Sequence, residues 1–178
     1  MTAGTPLRLG FLMFPGFPMA CLTSAIEPLR AANEISGRTE FDWLLVAEDR
    51  APVRSSAEVR FEPDVALADC GDVDHLYLLS PPTGQFADAR RGQARLRWLD
   101  RTGVVLGAFS GGIFPLARAG LMEGRGCSVH WCYEAAFKAE FPKVEPSEAV
   151  ILRERRRITV SGAGAVFDLM LRLIEERL

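Results

Sequence analysis

Short, almost unbroken apolar runs, separated by stretches with helical spacing, constrain this chain more than any other feature. Residues 7–14 (LRLGFLMF), 41–47 (FDWLLVA), 75–79 (HLYLL) and 104–109 (VVLGAF) are brief and apolar throughout. A strand with one wet face would alternate; a continuous run is a strand buried on both faces, the signature of a parallel sheet covered by helices. Between the runs, Leu22, Ile26 and Leu29 recur at helical spacing, with Pro28 expected to kink that helix or mark its first turn. Residues 86–101 hold Leu96, Trp98 and Leu99 among seven charges, and residues 113–119 form a further helix. Gly37, Gly103 and Gly120 act as stops. The last helix, residues 165–178, carries Val166, Leu169, Met170, Leu173 and Ile174 on one face and ends without a cap or breaker, as a natural chain can and a domain cut from a longer protein often does. The alternation predicts one α/β domain over residues 1–178, with a mostly parallel central sheet between two helical layers.

Less regular segments complete the pattern. Residues 53–61 read as short, partly exposed strands, 127–130 as a short strand, and 131–140 as a helix. Residues 150–152 and 158–160 flank Arg153-Glu154-Arg155-Arg156-Arg157, a charge run that reads as a solvated hairpin turn rather than a nucleic-acid patch. The 21 Lys and Arg residues against 23 Asp and Glu leave a formal charge of −2, so these residues lack the basic excess with which proteins grip phosphate backbones. No apolar run reaches the roughly 18 residues of a membrane span, and no signal-peptide pattern opens the chain. The cytoplasm is therefore the expected compartment, and the four cysteines are expected to be reduced thiols rather than a disulfide framework.

The tightest strand-to-helix turn is Phe109-Ser110-Gly111-Gly112, and in open α/β sheets ligands bind beyond the carboxyl ends of the strands. Two readings fit it. Ser110 can be an ordinary helix N-cap, or it can stand exposed on a sharp turn as nucleophiles do, with the Gly111 and Gly112 amides favouring negative charge at the same spot. His130, at a strand end, can orient a ligand or act as a base, or be hydrogen-bonded structurally. His75 starts a buried strand with no evident partner. Cys127, His130 and Cys132 form C-x2-H-x-C, not a usual zinc spacing, and no metal site is expected. Ser161-Gly162-Ala163-Gly164 is a fragment of a dinucleotide fingerprint with Phe167 at its third glycine position, and close helix packing explains it equally well.

Taken together, GFLMFPGFPMACLTSAIEPLRAAN (residues 10–33), VRSS (53–56), LGAFSGGIFPLARAGLMEG (106–124), SVHW (128–131), FPKVE (141–145) and ITVSGAGAVFDLMLRLI (158–174) resemble the PfpI-type, class I glutamine amidotransferase-like domain, in the form found at the N-terminus of AraC-family transcriptional regulators. The resemblance implies a flavodoxin-like three-layer α/β sandwich that dimerises and, in the regulator branch, senses a small metabolite. DNA would be contacted only through a helix-turn-helix segment outside this chain. Enzymatic relatives carry a cysteine at the elbow, an acid from the first helix region and oxyanion-hole amides. Here the elbow residue is Ser110, the acid position is Cys21, and the residue after His130-Trp131 is Cys132. Where the relatives have a glycine pair after the middle strand, this chain has Ser80-Pro81-Pro82, and proline has no N–H to donate. Losing one such donor typically costs about 10²–10³ in rate.

These departures lead to the expectation of a non-catalytic effector pocket lined by Ser110, Gly111, Gly112, His130 and Cys21. It would use no cofactor or metal and take a ligand with an amine, amino-acid or carboxylate character. The alternative is a hydrolase or hydratase using Ser110 with His130 as base.

Overall fold

The structure, a computed structural model, describes residues 5–178. In chain order it contains β1 (Leu7–Met13), α1 (Met19–Ser36), β2 (Phe41–Ala47), β3 (Val53–Arg54), β4 (Arg60–Phe61), β5 (Val65–Ala66), β6 (His75–Ser80), α2 (Ala89–Arg101), β7 (Val105–Ser110) and α3 (Ile113–Arg118). There follow β8 (Gly126–Ser128), a single 3-10 turn (Trp131–Tyr133), α4 (Glu134–Glu140), β9 (Glu145–Ser147), β10 (Ile151–Glu154), β11 (Arg157–Val160) and α5 (Ala163–Arg177). Among the described residues the main sheet has seven strands in the order β10-β11-β7-β6-β1-β2-β5. Every neighbouring pair is parallel except the hairpin β10–β11.

Alternate residues of the central strands feed two cores. Leu9, Phe11, Tyr77, Leu79 and Phe109 pack on Leu22, Ala25 and Leu29 of α1 and Val166, Leu169 and Met170 of α5. Leu12, Leu78, Leu106 and Ala108 pack on Leu96 and Leu99 of α2 and Ile113, Phe114 and Leu116 of α3. This is the predicted three-layer sandwich. Tyr77 lies 4.6 Å from the Phe109 ring centroid and 6.1 Å from that of Phe11, spanning three adjacent strands. It can do so because Gly107 leaves room: a Cβ there would stand 2.3 Å from the Tyr77 ring. His75 finds its partner here, with Nδ1 3.0 Å from the Tyr77 hydroxyl. Burial pushes the imidazole down to about 4.

Helix α1 runs from Met19 to Ser36 with Pro28 inside it, so that residue does not mark a first turn. It stops at Gly37, whose φ of +66° is the left-handed conformation glycine adopts without penalty. The charge run 153–157 does turn a hairpin, but Arg157 is not solvated. Its side chain is 3 % exposed and donates to the Leu121 carbonyl (3.0 Å) and to Asp100 (2.9 Å), whose carboxyl is held below the usual range by that hydrogen bond. Strand position overrides charge there, because β11 lies between β10 and β7. Strands β5 and β9, of two and three residues, are additions to the sequence reading.

From β1 the chain moves to β2 and the β5 edge, then returns to place β6 on the other side of β1 and continues outward to β7 and β11. The order therefore reverses between β1 and β6. The loops leaving the carboxyl ends of β1, β6 and β7 open beside that reversal, where open α/β sheets hold ligands.

Candidate functional site

The turn after β7 has the strained geometry of an elbow rather than of a plain cap. Ser110 has φ +52°, a conformation that costs an L-residue with a side chain roughly 1–2 kcal/mol. The N-cap of α3 is Gly112, with no side-chain cap bond, so Ser110 is not the helix cap. Nor is it exposed, as the nucleophile reading of the sequence would have it: only 8 % of its surface is accessible. The reason is the segment from β6, which lies directly on the turn. A Cβ on Gly111 would meet the Ser80 carbonyl oxygen at 2.4 Å and Pro82 N at 2.7 Å, and one on Gly112 would meet the Leu78 carbonyl oxygen at 1.9 Å. The two glycines are thus fixed by the approach of backbone to backbone.

The expected pair of anion-seeking amides is reduced to one. The Gly112 N–H donates to the Phe109 carbonyl at 3.0 Å, while the Gly111 N–H has no backbone acceptor among the described residues. Helix α3 has only six residues, so little dipole reinforces that amide. Opposite it stand Pro81 and Pro82, which offer no N–H at all.

Arg118, which the sequence reading did not single out, holds this loop in place. Its guanidinium donates to the Gly84 carbonyl (2.8 Å) and the Pro82 carbonyl (3.0 Å), pairs with Glu140 (2.6 Å) and lies over the Phe114 ring. Ser80 turns its hydroxyl onto the Pro81 carbonyl at 2.7 Å.

His130 does not end a strand. Strand β8 stops at Ser128, and His130 is the N-cap of the 3-10 turn, its Nδ1 accepting the Cys132 N–H at 3.4 Å. Cys132 Sγ lies 2.9 Å from the same nitrogen. The imidazole also covers Gly162, whose added Cβ would stand 3.4 Å from His130 Cδ2. Gly162 therefore allows a close approach, and the dinucleotide reading of this segment is not needed. Sheet register connects the two halves of the site: Phe109 pairs with Val160, so the residues after each, Ser110 and Ser161, leave the sheet side by side.

Cys21, in the first turn of α1, is 1 % exposed within the apolar core. Burial pushes its thiol up to about 12, so it is neutral and contributes shape rather than charge. Tyr133 lies close enough that burial, then Cys132, then Cys21 hold its phenol above its ordinary value. Sequence reasoning missed Tyr133, whose only signal was its place three residues after His130. Cys127 is buried, whereas Cys132 is exposed, and among the described residues no three His, Cys, Asp or Glu side chains converge as a metal site would require. An open groove of about 600 Å³ is lined by His130, Trp131, Glu134, Glu148, Asp168 and the turn 161–165, beside rather than over Ser110.

The mostly parallel sheet between two helical layers is a fold shared with solved regulator and ThiJ/PfpI structures. It superposes on an AraC family transcriptional regulator from Pseudomonas putida with a TM-score of 0.84 at 23 % identity, covering 97 % of this chain and 92 % of that one. A THiJ/PfpI family protein from Pseudomonas syringae follows at 0.78 and 24 %, covering 97 % and 69 %. No protein-family model matches the chain.

Several of this chain's relatives in sequence are HTH-type transcriptional regulators. It is 37 % identical over 169 residues to the HTH-type transcriptional regulator GbdR of Pseudomonas aeruginosa, covering 95 % of this chain and 46 % of that protein. To the HTH-type transcriptional regulator GlxA of Rhizobium meliloti it is 34 % identical over 177 residues, covering 96 % and 53 %. The chain spans about half the length of these curated relatives. An isonitrile hydratase of Pseudomonas putida is more distant, 26 % identical over 181 residues, covering 96 % of this chain and 72 % of the enzyme.

Proposed function

We propose that this chain is the effector-sensing, non-catalytic part of an AraC-family transcriptional regulator. It works in the cytoplasm as a homodimer and holds a small metabolite at the carboxyl ends of β1, β6 and β7. Ser110, the Gly111 N–H and His130 would make the polar contacts, with Gly112 and Cys21 shaping the wall. DNA would be reached through a helix-turn-helix segment outside these residues, in keeping with the net charge of −2 and the half-length match to HTH-type regulators.

The observation that carries the non-catalytic reading is the seating of Pro81-Pro82 against Gly111. An oxyanion at Ser110 would find one amide and two residues with no donor, where each lost donor costs about 10²–10³ in rate. A panel of amines, amino acids and carboxylates in a thermal-shift assay tests the reading. At about 100 times its dissociation constant a ligand stabilises by about 2.7 kcal/mol, and no shift at millimolar concentration across the panel would count against it.

One observation favours the alternative, a hydrolase or hydratase: Ser110 keeps the left-handed elbow conformation. Covalent labelling by a fluorophosphonate, lost in Ser110→Ala, would establish that reading in place of the first.

A further inference from the structure

We propose that Cys132 and His130 form a thiol–imidazole pair that undergoes thiol–disulfide exchange with a small neutral or cationic disulfide, a covalent modification site that shares His130 with the proposed effector pocket. This does not rest on the sensory reading; it rests on the geometry of the 3-10 turn. Both the thiol and the backbone N–H of residue 132 converge on one lone pair, at 2.9 and 3.4 Å from His130 Nδ1. A neutral ring accepting there carries its proton on Nε2. A nucleophile within hydrogen-bond reach of a base whose orientation is fixed is the arrangement by which a thiol is activated.

Exposure singles out the same residue. Cys132 is exposed, whereas Cys21, Cys70 and Cys127 are buried and pushed up to about 12, 11 and 12. Thiols in apolar surroundings are inert, while an accessible thiol beside a base reacts.

The exchange balances within the pair and its reagent. The Cys132 S–H proton passes to His130 Nδ1, and Sγ attacks one sulfur of the incoming disulfide. The S–S bond breaks, a mixed disulfide forms on Cys132, and the departing thiolate takes the proton from His130 and leaves as a thiol. Cys132 is oxidised and the released half of the reagent is reduced.

The surroundings set the reagent's charge. The groove beside the pair is lined by His130, Trp131, Glu134, Glu148 and Asp168, with no Lys or Arg on its wall. The Tyr133 phenol lies beside Cys132, and of the groove's carboxylates Glu134 is bridged to Lys138. Three carboxylates repel an anionic disulfide, and Trp131, 81 % exposed, presents a ring face that attracts cations.

The test is exchange of the folded chain with cystamine, read by intact mass and peptide mapping, with N-acetylcysteine as the unactivated reference. One adduct should form, on Cys132, at least about tenfold faster than on the reference at pH 7, and cystamine should outpace oxidised glutathione. Cys132→Ser should abolish the adduct, and His130→Gln should bring the rate down to that of the reference. If His130→Gln does not fold, His130→Asn takes its place, with the same fall to the reference rate expected. A wild-type rate equal to the reference, an adduct on a buried cysteine, an unchanged rate in folded His130→Gln, or a preference for oxidised glutathione would overturn the proposal.

Discussion

Substituting Gly112 by alanine should be among the most damaging single-methyl changes this chain can undergo. The new Cβ would stand 1.9 Å from the Leu78 carbonyl oxygen, and both partners are backbone, so no side chain can swing away. Reaching an ordinary contact of 3.4 Å requires β6 and the β7 turn to part by about 1.5 Å. That would disrupt their parallel pairing, which runs on to Ser80 and Ser110. Overpacking of this kind typically costs about 1–3 kcal/mol and occasionally more, and with no flexible neighbour the upper end, about 3 kcal/mol, is expected. For a domain of this size each kcal/mol moves Tm by about 2–4 °C, so Gly112→Ala should melt about 6–12 °C lower by circular dichroism. Two controls isolate the cause. Gly120→Ala has open space but φ +75°, so it should lose about 1–2 kcal/mol through backbone strain alone. Gly164→Ala, in the first turn of α5 with nothing within 4 Å, should gain about 0.5–1 kcal/mol. A Gly112→Ala protein melting within a degree of wild type would refute the claim that backbone contact fixes this turn.

Other consequences are equally open to measurement. His75 titrates at about 4 when folded, against about 6.5 unfolded, so between those values the unfolded chain binds the extra proton. Stability should therefore fall as pH drops from 6.5 to 4, by at most about 3 kcal/mol, and denaturant titrations of His75→Gln should show a flatter slope across that window. Arg118→Ala, which removes the ties to Pro82, Gly84 and Glu140, should lower stability by about 1–3 kcal/mol and increase hydrogen exchange at the Thr83 and Gly84 amides. Asp100→Asn leaves the buried Arg157 without its counter-charge and should cost about 1–3 kcal/mol in urea unfolding, less than a fully buried pair because Asp100 is partly solvated. Asp100 is held low in the fold, so its contribution is present above the ordinary carboxylate range and is lost as pH falls through the folded value.

The sheet was legible because its central strands are buried on both faces and so must be apolar throughout; LRLGFLMF and HLYLL admit little else. The smallest strands were not, since two residues at β5 and three at β9 show no period. Arg157 misled because a charge run in sequence says nothing about which member the ladder turns inward. At the site, the serine, the glycine pair and His130 were visible as residue types, and the register brings their loops to one edge of the sheet. What sequence could not supply was contact: the burial of Ser110 beneath a loop from β6, the use of the Gly112 amide within its own turn, and the role of Arg118. The first and last depend on residues thirty or more positions apart meeting across the fold, and the second on the geometry of the turn itself.

The reversal of strand order between β1 and β6 has a consequence for cooperativity. The candidate cleft is bordered by segments after β1, β6, β7 and β8, none of which adjoins another along the chain. No fragment can preassemble it, and a molecule seated there fastens together strands that the polypeptide lays down at widely separated times. Occupancy should therefore register as added resistance to unfolding of the whole sheet rather than as the quieting of a single loop.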